Sequence, residues 1–306
     1  MRENHIRQNS CAVLAALIWG TAFVAQSVGA EHVEAFTFSA ARSFVGFLAM
    51  LIVCIIMRRL DRGESSRKAP EESGQQYRKD LLAGGCLCGL ALAVATNLQQ
   101  KGLETTSSGK AGFITALYIV IVPIFGIFLK KKIPWTVWVS VAIAVVGLYC
   151  LCVQDGFSIA KGDFYIVLCS FCYSAQILLI DHYGERVRGV ELSCAQLLVV
   201  TIFSTVGMLL METPSWFAIK VAMFPILYVG IFSSGIAYTL QILAQKGSNP
   251  TVVSLLLSLE SVFATIGGAV ILKDRMSGRE YFGCILMLGA VVLAQLPTSG
   301  GKKQEI

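Results

Sequence analysis

The sequence predicts an all-α polytopic membrane protein, with ten transmembrane helices arranged as two inverted repeats of five. Three observations favour this class: 55% of the 306 residues are apolar, only 14% are charged, and the mean hydropathy is +0.69. Soluble globular domains usually carry about 25% charged residues. The chain is therefore too apolar and too weakly charged for an ordinary soluble globule.

Apolar runs long enough to cross a bilayer recur along the whole chain. A hydrocarbon core about 30 Å thick requires about 20 mostly apolar residues in a helix that rises about 1.5 Å per residue. The first run follows Arg2 and Arg7, as in a signal peptide, but its length and the nine runs after it favour a retained helix. The ten runs cover roughly residues 11–28, 35–57, 81–99, 111–129, 135–153, 163–181, 191–210, 221–243, 251–272 and 280–297.

The positions of Lys and Arg predict the orientation. With the N-terminus in the cytoplasm, 17 of the 25 basic residues lie on the cytoplasmic side, including seven in the polar loop 58–79. Loops rich in Lys and Arg stay inside, so both termini are predicted to be cytoplasmic, in a multi-pass protein of the plasma membrane. The same asymmetry accounts for the net charge of +6, and Lys130-Lys131-Lys132 is interpreted as a topology anchor rather than a nucleic-acid site.

Short matches at slowly drifting offsets indicate an internal duplication. The predicted units are residues 1–153 and 154–297, followed by a cytoplasmic tail at 298–306. Because each unit holds five spans, the second copy must enter the membrane from the opposite side, as in many secondary transporters whose substrate site lies between the halves. The matching pairs are Ala25-Gln26 with Ala175-Gln176, Gln100-Lys101-Gly102 with Gln245-Lys246-Gly247, Leu129-Lys130 with Leu272-Lys273, and Gly147 with Gly289.

One span contains an arginine. Arg42 lies within the run 35–57, where a charge at the centre of a bilayer costs about 2.5–3.5 kcal/mol on insertion scales and is usually kept for function. Helical spacing places it on a face of small residues suited to close packing inside a bundle, with Ser39, Ser43, Gly46 and Ala49. The alternative is that Arg42 binds backbone carbonyls at helix ends or extends outward to the headgroups.

Other polar residues within the spans complete the candidate site. Glu260 is the only acidic residue deep in a span, and its depth differs from that of Arg42 by about 8 Å, so an ion pair between them is open but not required. Amides inside lipid must face protein or a water-filled cavity. Bonding between helices explains many of these amides equally well, and packing in the core explains Trp19 equally well. The wider polar set includes Gln99, Gln196, Gln241 and Tyr173. The predicted cavity residues are Trp19, Gln26, Arg42, Asn97, Tyr118, Gln176, Tyr238 and Glu260.

Three segments carry a family resemblance. They are LIWGTAF at 17–23, Phe38 followed by Arg42, and SLLLSLESVFATIGGAVILKDR at 254–275. On these segments the chain resembles the EamA-type ten-helix branch of the drug/metabolite transporter superfamily, over nearly its whole length. It departs from the family where proline is common, before the second span and after Glu260, and where Lys273-Asp274 replaces Gly-Glu.

The resemblance implies two EamA-like units forming a secondary carrier that moves small metabolites, amino acids or drugs, frequently outward, by alternating access. A small-molecule substrate, the lipid bilayer and protons as a candidate coupling ion are the expected partners, with no cofactor and no nucleic acid. The alternative is a membrane-embedded enzyme for an apolar or lipid-linked substrate, which needs convergent acids, bases or metal ligands. The ten cysteines and three histidines form no such set, so no catalytic or metal-binding residue is predicted.

Overall fold

The computed structural model describes residues 2–64, 71–106, 108–130, 133–152, 161–271 and 277–295. All regular secondary structure in these ranges is helical, which satisfies backbone hydrogen bonds within each segment, as a bilayer requires. The predicted all-helical class is confirmed. The elements are α1 (Arg2–Ala30), α2 (Ala35–Glu64), α3 (Glu71–Leu103), α4 (Ser108–Thr115), α5 (Tyr118–Phe128), α6 (Trp135–Cys152), α7 (Lys161–Tyr183), α8 (Gly189–Met211), α9 (Trp216–Val221), α10 (Met223–Tyr228), a π-helix (Val229–Ala237), α11 (Tyr238–Gln245), α12 (Pro250–Leu257), α13 (Glu260–Ile271) and α14 (Gly278–Gln295).

Seven helical runs among the described residues have the length and apolar composition to cross a membrane. Two shorter apolar runs, Trp135–Cys150 and Pro250–Ile266, fall on the fifth and ninth predicted spans, and α14 falls on the tenth. The seven are Ile6–Ala30, Ala35–Leu60, Gly74–Leu103, Lys110–Phe128, Lys161–Tyr183, Gly189–Met211 and Met223–Gln245.

The polar segment 58–79 differs from the loop that its composition predicts. α2 continues to Glu64 and α3 begins at Glu71, while residues 65–70 lie outside the described residues. Arg, Lys, Gln and Glu are good helix formers, so a helix can continue past the end of an apolar run. Helices therefore extend past the apolar runs that marked the spans.

Two carboxylates join α2 to α8 at opposite ends of the pair. Glu212, just after α8, accepts hydrogen bonds from the backbone N–H groups of Phe36 (2.8 Å) and Thr37 (2.7 Å), which caps the start of α2. Glu191, near the start of α8, accepts from Arg58 Nε at 3.0 Å and from the Tyr77 hydroxyl at 2.7 Å. The second helix of each predicted repeat is thus fastened to its counterpart.

Two predicted spans are interrupted in the same way. Between α4 and α5, and between α12 and α13, the chain makes a tight turn in place of a regular helical turn. The two turns repeat the same hydrogen bonds 142 residues apart, which is also the separation of Tyr118 and Glu260. Leu117 N donates to Ile114 O and Ile119 N to Ala116 O in the first, and Leu259 N donates to Leu256 O and Ser261 N to Ser258 O in the second.

Glycines bring the backbones of two helix pairs close together, α1 with α13 and α2 with the π-helix. A Cβ added at Gly20 of α1 would lie 2.6 Å from the carbonyl oxygen of Glu260. A Cβ at Gly230 of the π-helix would lie 2.8 Å from the carbonyl oxygen of Arg42. A Cβ at Gly46 of α2 would likewise lie 2.8 Å from the carbonyl oxygen of Gly230. Small residues at these crossings therefore fix where the two intramembrane charges sit.

Candidate functional site

A cavity lies between helices of both predicted units, with about 470 Å³ of empty space that includes its opening to solvent. The cavity brings together six of the eight predicted residues: Trp19, Gln26, Arg42, Tyr118, Tyr238 and Glu260. The remaining lining residues are Phe23, Gln99, Thr115, Tyr173, Ile177, Ser233, Gln241 and Leu257.

Arg42 is buried, with 2% of its surface exposed. Its Nη1 donates to Gln26 Oε1 at 2.8 Å, and its guanidinium carbon lies 5.8 Å from the centre of the Phe38 ring. The Nε and Nη2 groups are buried and have no hydrogen-bond partner. Arg42 thus faces the bundle interior and bonds to a neutral amide. The edge of its guanidinium formed by Nε and Nη2 has no hydrogen-bond acceptor.

Glu260 is the acidic counterpart in the same cavity, with 4% of its surface exposed. It begins α13 directly after the second break, and its Oε1 accepts a hydrogen bond of 3.2 Å from the hydroxyl of Tyr118, which begins α5 after the first break. Within the described residues, no salt bridge joins Glu260 to Arg42. The two intramembrane charges therefore share a cavity without pairing.

Aromatic and polar groups line the same cavity as these two charges. The Trp19 and Tyr238 rings lie 5.2 Å apart, and Trp19 Nε1 donates to the carbonyl oxygen of Ser233 in the π-helix at 3.3 Å. The hydroxyls of Tyr238 and Tyr173 are 3.5 Å apart, and Tyr173 donates to Gln99 Oε1 at 3.2 Å. This surface offers both ring faces and hydrogen-bonding groups to a ligand.

Asn97 and Gln176 lie outside the cavity lining. The Asn97 amide donates to Ser204 Oγ at 2.8 Å, a bond between α3 and α8. Gln176 Oε1 accepts from Gln241 Nε2 at 3.1 Å, so it supports a lining residue from behind. For these two amides the structure shows the bonding between helices that was the alternative to a cavity role.

Several lining residues were not among the predicted cavity residues. Gln99, Gln241 and Tyr173 were visible as polar residues in apolar runs, but nothing in the sequence separated them from amides that only join helices. The apolar lining residues carry no polar group that could mark them in the sequence. The internal duplication could have marked some of them, because Phe23 and Tyr173 occupy matching places in α1 and α7, and Thr115 and Leu257 precede the two breaks.

Comparison with known proteins agrees with these observations. The model of the EamA-like transporter family matches residues 8–153 and again residues 160–296. The chain belongs to the EamA-like transporter family. It is therefore an integral, multi-pass membrane protein of the drug/metabolite transporter superfamily, and its family supports a role in membrane transport.

Two further matches are similar to this EamA-like chain over most of its length. An uncharacterized transporter of Archaeoglobus fulgidus is 28% identical over 284 residues, which cover 92% of this chain and 84% of the relative. A solved crystal structure of a protein has a TM-score of 0.74 at 19% identity, covering 94% of this chain and 96% of the other. The second match shows a shared fold.

Proposed function

We propose that the protein is a secondary active transporter that exports small metabolites, amino acids or drugs across the plasma membrane by alternating access. Ten membrane crossings form two inverted repeats, residues 1–153 and 154–297, with segment 58–79, tail 298–306 and both termini in the cytoplasm. The substrate occupies the cavity that Arg42 and Glu260 share. Protons are the candidate coupling ion.

The single observation that carries this proposal is the duplicated break in the fourth and ninth spans. The two breaks repeat the same local hydrogen bonds, and the residue that follows each break lines the cavity. Those residues, Tyr118 and Glu260, bond to each other at 3.2 Å. Discontinuous helices that meet at a shared site are the arrangement on which inverted-repeat carriers rock between two openings.

A second duplicated contact supports the same symmetry. Gln100 Nε2, near the end of the third helix, donates to the backbone oxygen of Gln26 at 3.2 Å. In the second unit, Gln245 Nε2 donates to the backbone oxygen of Ile177 at 2.8 Å. The duplication pairs Gln26 with Gln176, the residue just before Ile177. In each unit, therefore, a glutamine of the third helix bonds to the backbone of the first helix at nearly the same place. The family model also matches each half separately.

The chemistry of the cavity favours moving a solute over transforming it. Its lining combines aromatic and aliphatic side chains with a few polar groups, as small-molecule sites do. Tyr118 and Glu260 form one acid–hydroxyl contact, and Arg42 bonds to an amide. No observation in the described residues favours the membrane-embedded enzyme.

Transport is tested with purified protein in sealed vesicles. A thermal-shift screen of amino acids, small metabolites and drugs first identifies solutes that stabilise the protein, and flux of those solutes is then measured. A transporter carries a hit across the vesicle wall chemically unchanged, whereas protein-free vesicles do not. Recovery of an altered product would indicate an enzyme, and absence of flux for every stabilising solute would refute transport.

A further inference from the structure

We infer that two contacts between α2 and α8, one at each end of the helix pair, are latches that open one at a time and so select which membrane face reaches the cavity. The inference rests on the proposed function, because alternating access requires each face to be closed in turn. The outer latch is the Glu212 carboxylate with Phe36 and Thr37, and the inner latch is the Glu191 carboxylate with Arg58. The two names follow the predicted orientation.

The two latches occupy equivalent positions in the predicted repeats. Thr37 and Glu191 are each the third residue of their helix, and Arg58 and Glu212 each lie 21 residues further along the chain. The contact of Thr37 with Glu212 therefore corresponds to the contact of Arg58 with Glu191, with the two units exchanged. In inverted repeats, the operation that exchanges the units also exchanges the two membrane faces. One latch is thus the counterpart of the other at the opposite face.

Each latch consists of charge-assisted hydrogen bonds that cross from one helix to the other. Glu212 accepts from Phe36 N at 2.8 Å, from Thr37 N at 2.7 Å and from the Thr37 hydroxyl at 2.7 Å. Glu191 accepts from Arg58 Nε at 3.0 Å. Bonds to an ionised acceptor are roughly twice as strong as neutral ones, but they are lost once donor and acceptor separate beyond about 3.5 Å. Such contacts hold a closed end firmly and still release it when the helices part.

On one side of the pair, α2 packs directly against the π-helix. A Cβ added at Gly46 would lie 2.8 Å from the Gly230 carbonyl oxygen, and one added at Gly230 would lie 2.9 Å from Val45 Cβ. Packing this close leaves the two helices little room to move independently. The π-helix contributes Ser233 to the cavity lining, so a displacement of α2 is passed to that lining.

On the other side of the pair, α8 packs against α3 in the same way. A Cβ added at Gly85 of α3 would lie 2.7 Å from Ala195 Cβ, and Tyr77 of α3 donates to Glu191 at 2.7 Å, which keeps the inner carboxylate with α3 and α8. α3 contributes Gln99 to the cavity lining. When α2 and α8 part at one face, the π-helix is therefore drawn away from α3 at that face, and the cavity widens towards it.

The separation of the two latches makes their opening mutually exclusive. Thr37 and Arg58 are 21 residues apart in α2, which is about 32 Å at about 1.5 Å per residue. Packed helices barely compress, so α2 and α8 part at one end by pivoting about the closed end. A pivot of about 10°, of the order seen in subunit rotations, moves the free end by about 6 Å over that length. This displacement breaks one latch and leaves the other as the hinge.

The test measures how often the cavity is open to each face. Ser233→Cys supplies one thiol in the cavity lining, in a protein whose ten native cysteines are replaced by alanine. The protein is inserted into sealed vesicles in one known orientation. The probe is the membrane-impermeant thiol reagent 2-sulfonatoethyl methanethiosulfonate, added outside the vesicles or enclosed within them. The ratio of the outer to the inner modification rate is then determined for each variant.

Four identical substitutions make the comparison. Glu212→Gln weakens the outer latch and Glu191→Gln weakens the inner latch, since a neutral amide replaces the charged acceptor. Glu31→Gln and Glu185→Gln are the matched controls, because both side chains are exposed and lie next to α2 and α8 at the same two faces. The two controls should leave the ratio unchanged.

The two latch variants should shift the ratio in opposite directions. Glu212→Gln should raise it by at least about threefold, the effect of weakening one hydrogen-bonded contact, and Glu191→Gln should lower it by at least about threefold. The double variant should return the ratio towards the wild-type value, because the two effects oppose each other. Arg58→Met should act like Glu191→Gln, whereas the neighbouring, exposed Arg59→Met should not. A merely structural role would not favour opposite faces.

Hydrogen–deuterium exchange gives a second measurement on protein that keeps its native cysteines, and it decides the matter even if the cysteine-free protein fails to fold. Glu212→Gln should raise exchange at the outer ends of α3 and the π-helix and lower it at their inner ends, and Glu191→Gln should do the reverse.

Two results would overturn the inference: no change of the ratio in either latch variant, and a shift in the same direction in both. Flux separates this inference from the proposed function. Opposite shifts without flux of any stabilising solute count against the transporter alone, and flux with an unshifted ratio counts against the latches alone.

Discussion

Adding one methyl group at Gly20 should disturb both the packing and the site. Gly20 lies in the LIWGTAF segment of α1, where a Cβ would be 2.6 Å from the Glu260 carbonyl oxygen, 2.7 Å from Phe263 Cβ and 2.8 Å from Ala264 N. Two of these atoms belong to the backbone of α13 and cannot rotate away. Gly20→Ala must therefore push α1 and α13 apart or tilt one of them, and Glu260 moves with α13.

The size of the effect follows from these distances. Carbon and backbone oxygen normally stay about 3.3 Å apart or more, so the helices must separate by about 0.7 Å at this crossing. Overpacking of this kind costs about 1–3 kcal/mol. Alanine also gains about 1 kcal/mol over glycine in helix propensity, which partly hides the cost. Gly289→Ala in α14 gains the same propensity without a clash, because nothing lies within 4 Å of its added Cβ.

The two variants should therefore be compared with each other. In detergent, Gly20→Ala should unfold at a lower temperature than Gly289→Ala, with a free energy of unfolding about 1–3 kcal/mol lower. It should also bind any ligand of the cavity more weakly, measured by titration with a solute that stabilises the wild-type protein. Equal stability and equal affinity in the two variants would refute the proposed contact between α1 and α13.

Three other predictions concern topology and the intramembrane charges. Cysteine labelling should find residue 65, outside the described residues, on the cytoplasmic side and Glu31 outside, and an external residue 65 would reverse the orientation and the repeat assignment. Transport should fall in the order wild type, Arg42→Lys, Arg42→Met, by about tenfold for each lost charged hydrogen bond, at similar purified yield; normal flux in Arg42→Met would make the arginine dispensable. A pH gradient should lose its effect on flux in Glu260→Gln, since glutamine carries no proton, and unchanged coupling would remove Glu260 from that role.

The composition of the chain predicted the helical class well because a bilayer leaves few alternatives. Long apolar runs have to satisfy their own backbone hydrogen bonds, so helices were expected wherever such runs occur. The ends were less predictable, since α1 begins at Arg2 and α3 at Glu71, well before the apolar runs that start near residues 11 and 81. Periodicity and hydropathy mark where hydrocarbon surrounds a helix, and they do not mark where the helix stops.

The breaks in the fourth and ninth spans were not predictable from local residues. Neither Ala116-Leu117 nor Ser258-Leu259 contains the proline or glycine that usually signals a break. Members of the family often place proline directly after the ninth-span glutamate, where it would remove a backbone donor. Here Ser261 keeps that donor and uses it in a 3.2 Å hydrogen bond to Ser258 O, three residues earlier. Packing around the cavity thus maintains the interruption without the residue that would impose it.

The candidate site shows why charge was a better guide than amide polarity. Arg42 and Glu260 are too costly to bury at random, and the cavity contains both. Amides inside a bundle are cheaper because one bond to another helix satisfies most of the need, as Asn97 does with Ser204. Sequence alone therefore separates cavity from packing for intramembrane charges more sharply than for glutamine and asparagine.

Tyr118 and Glu260 line the cavity at matching positions in the two predicted units, but their side chains differ. Tyr118 and Glu260 hold matching positions after matching breaks, yet one is a neutral phenol and the other an acid. Identical residues at these two positions would give both predicted units the same group at the cavity. The difference between Tyr118 and Glu260 gives the cavity one acidic group. Arg42, bonded to Gln26 of α1, gives it a basic group. In the proposed carrier, the matched breaks would supply the similar backbones that alternating access needs, while Tyr118 and Glu260 make the two predicted units chemically unequal.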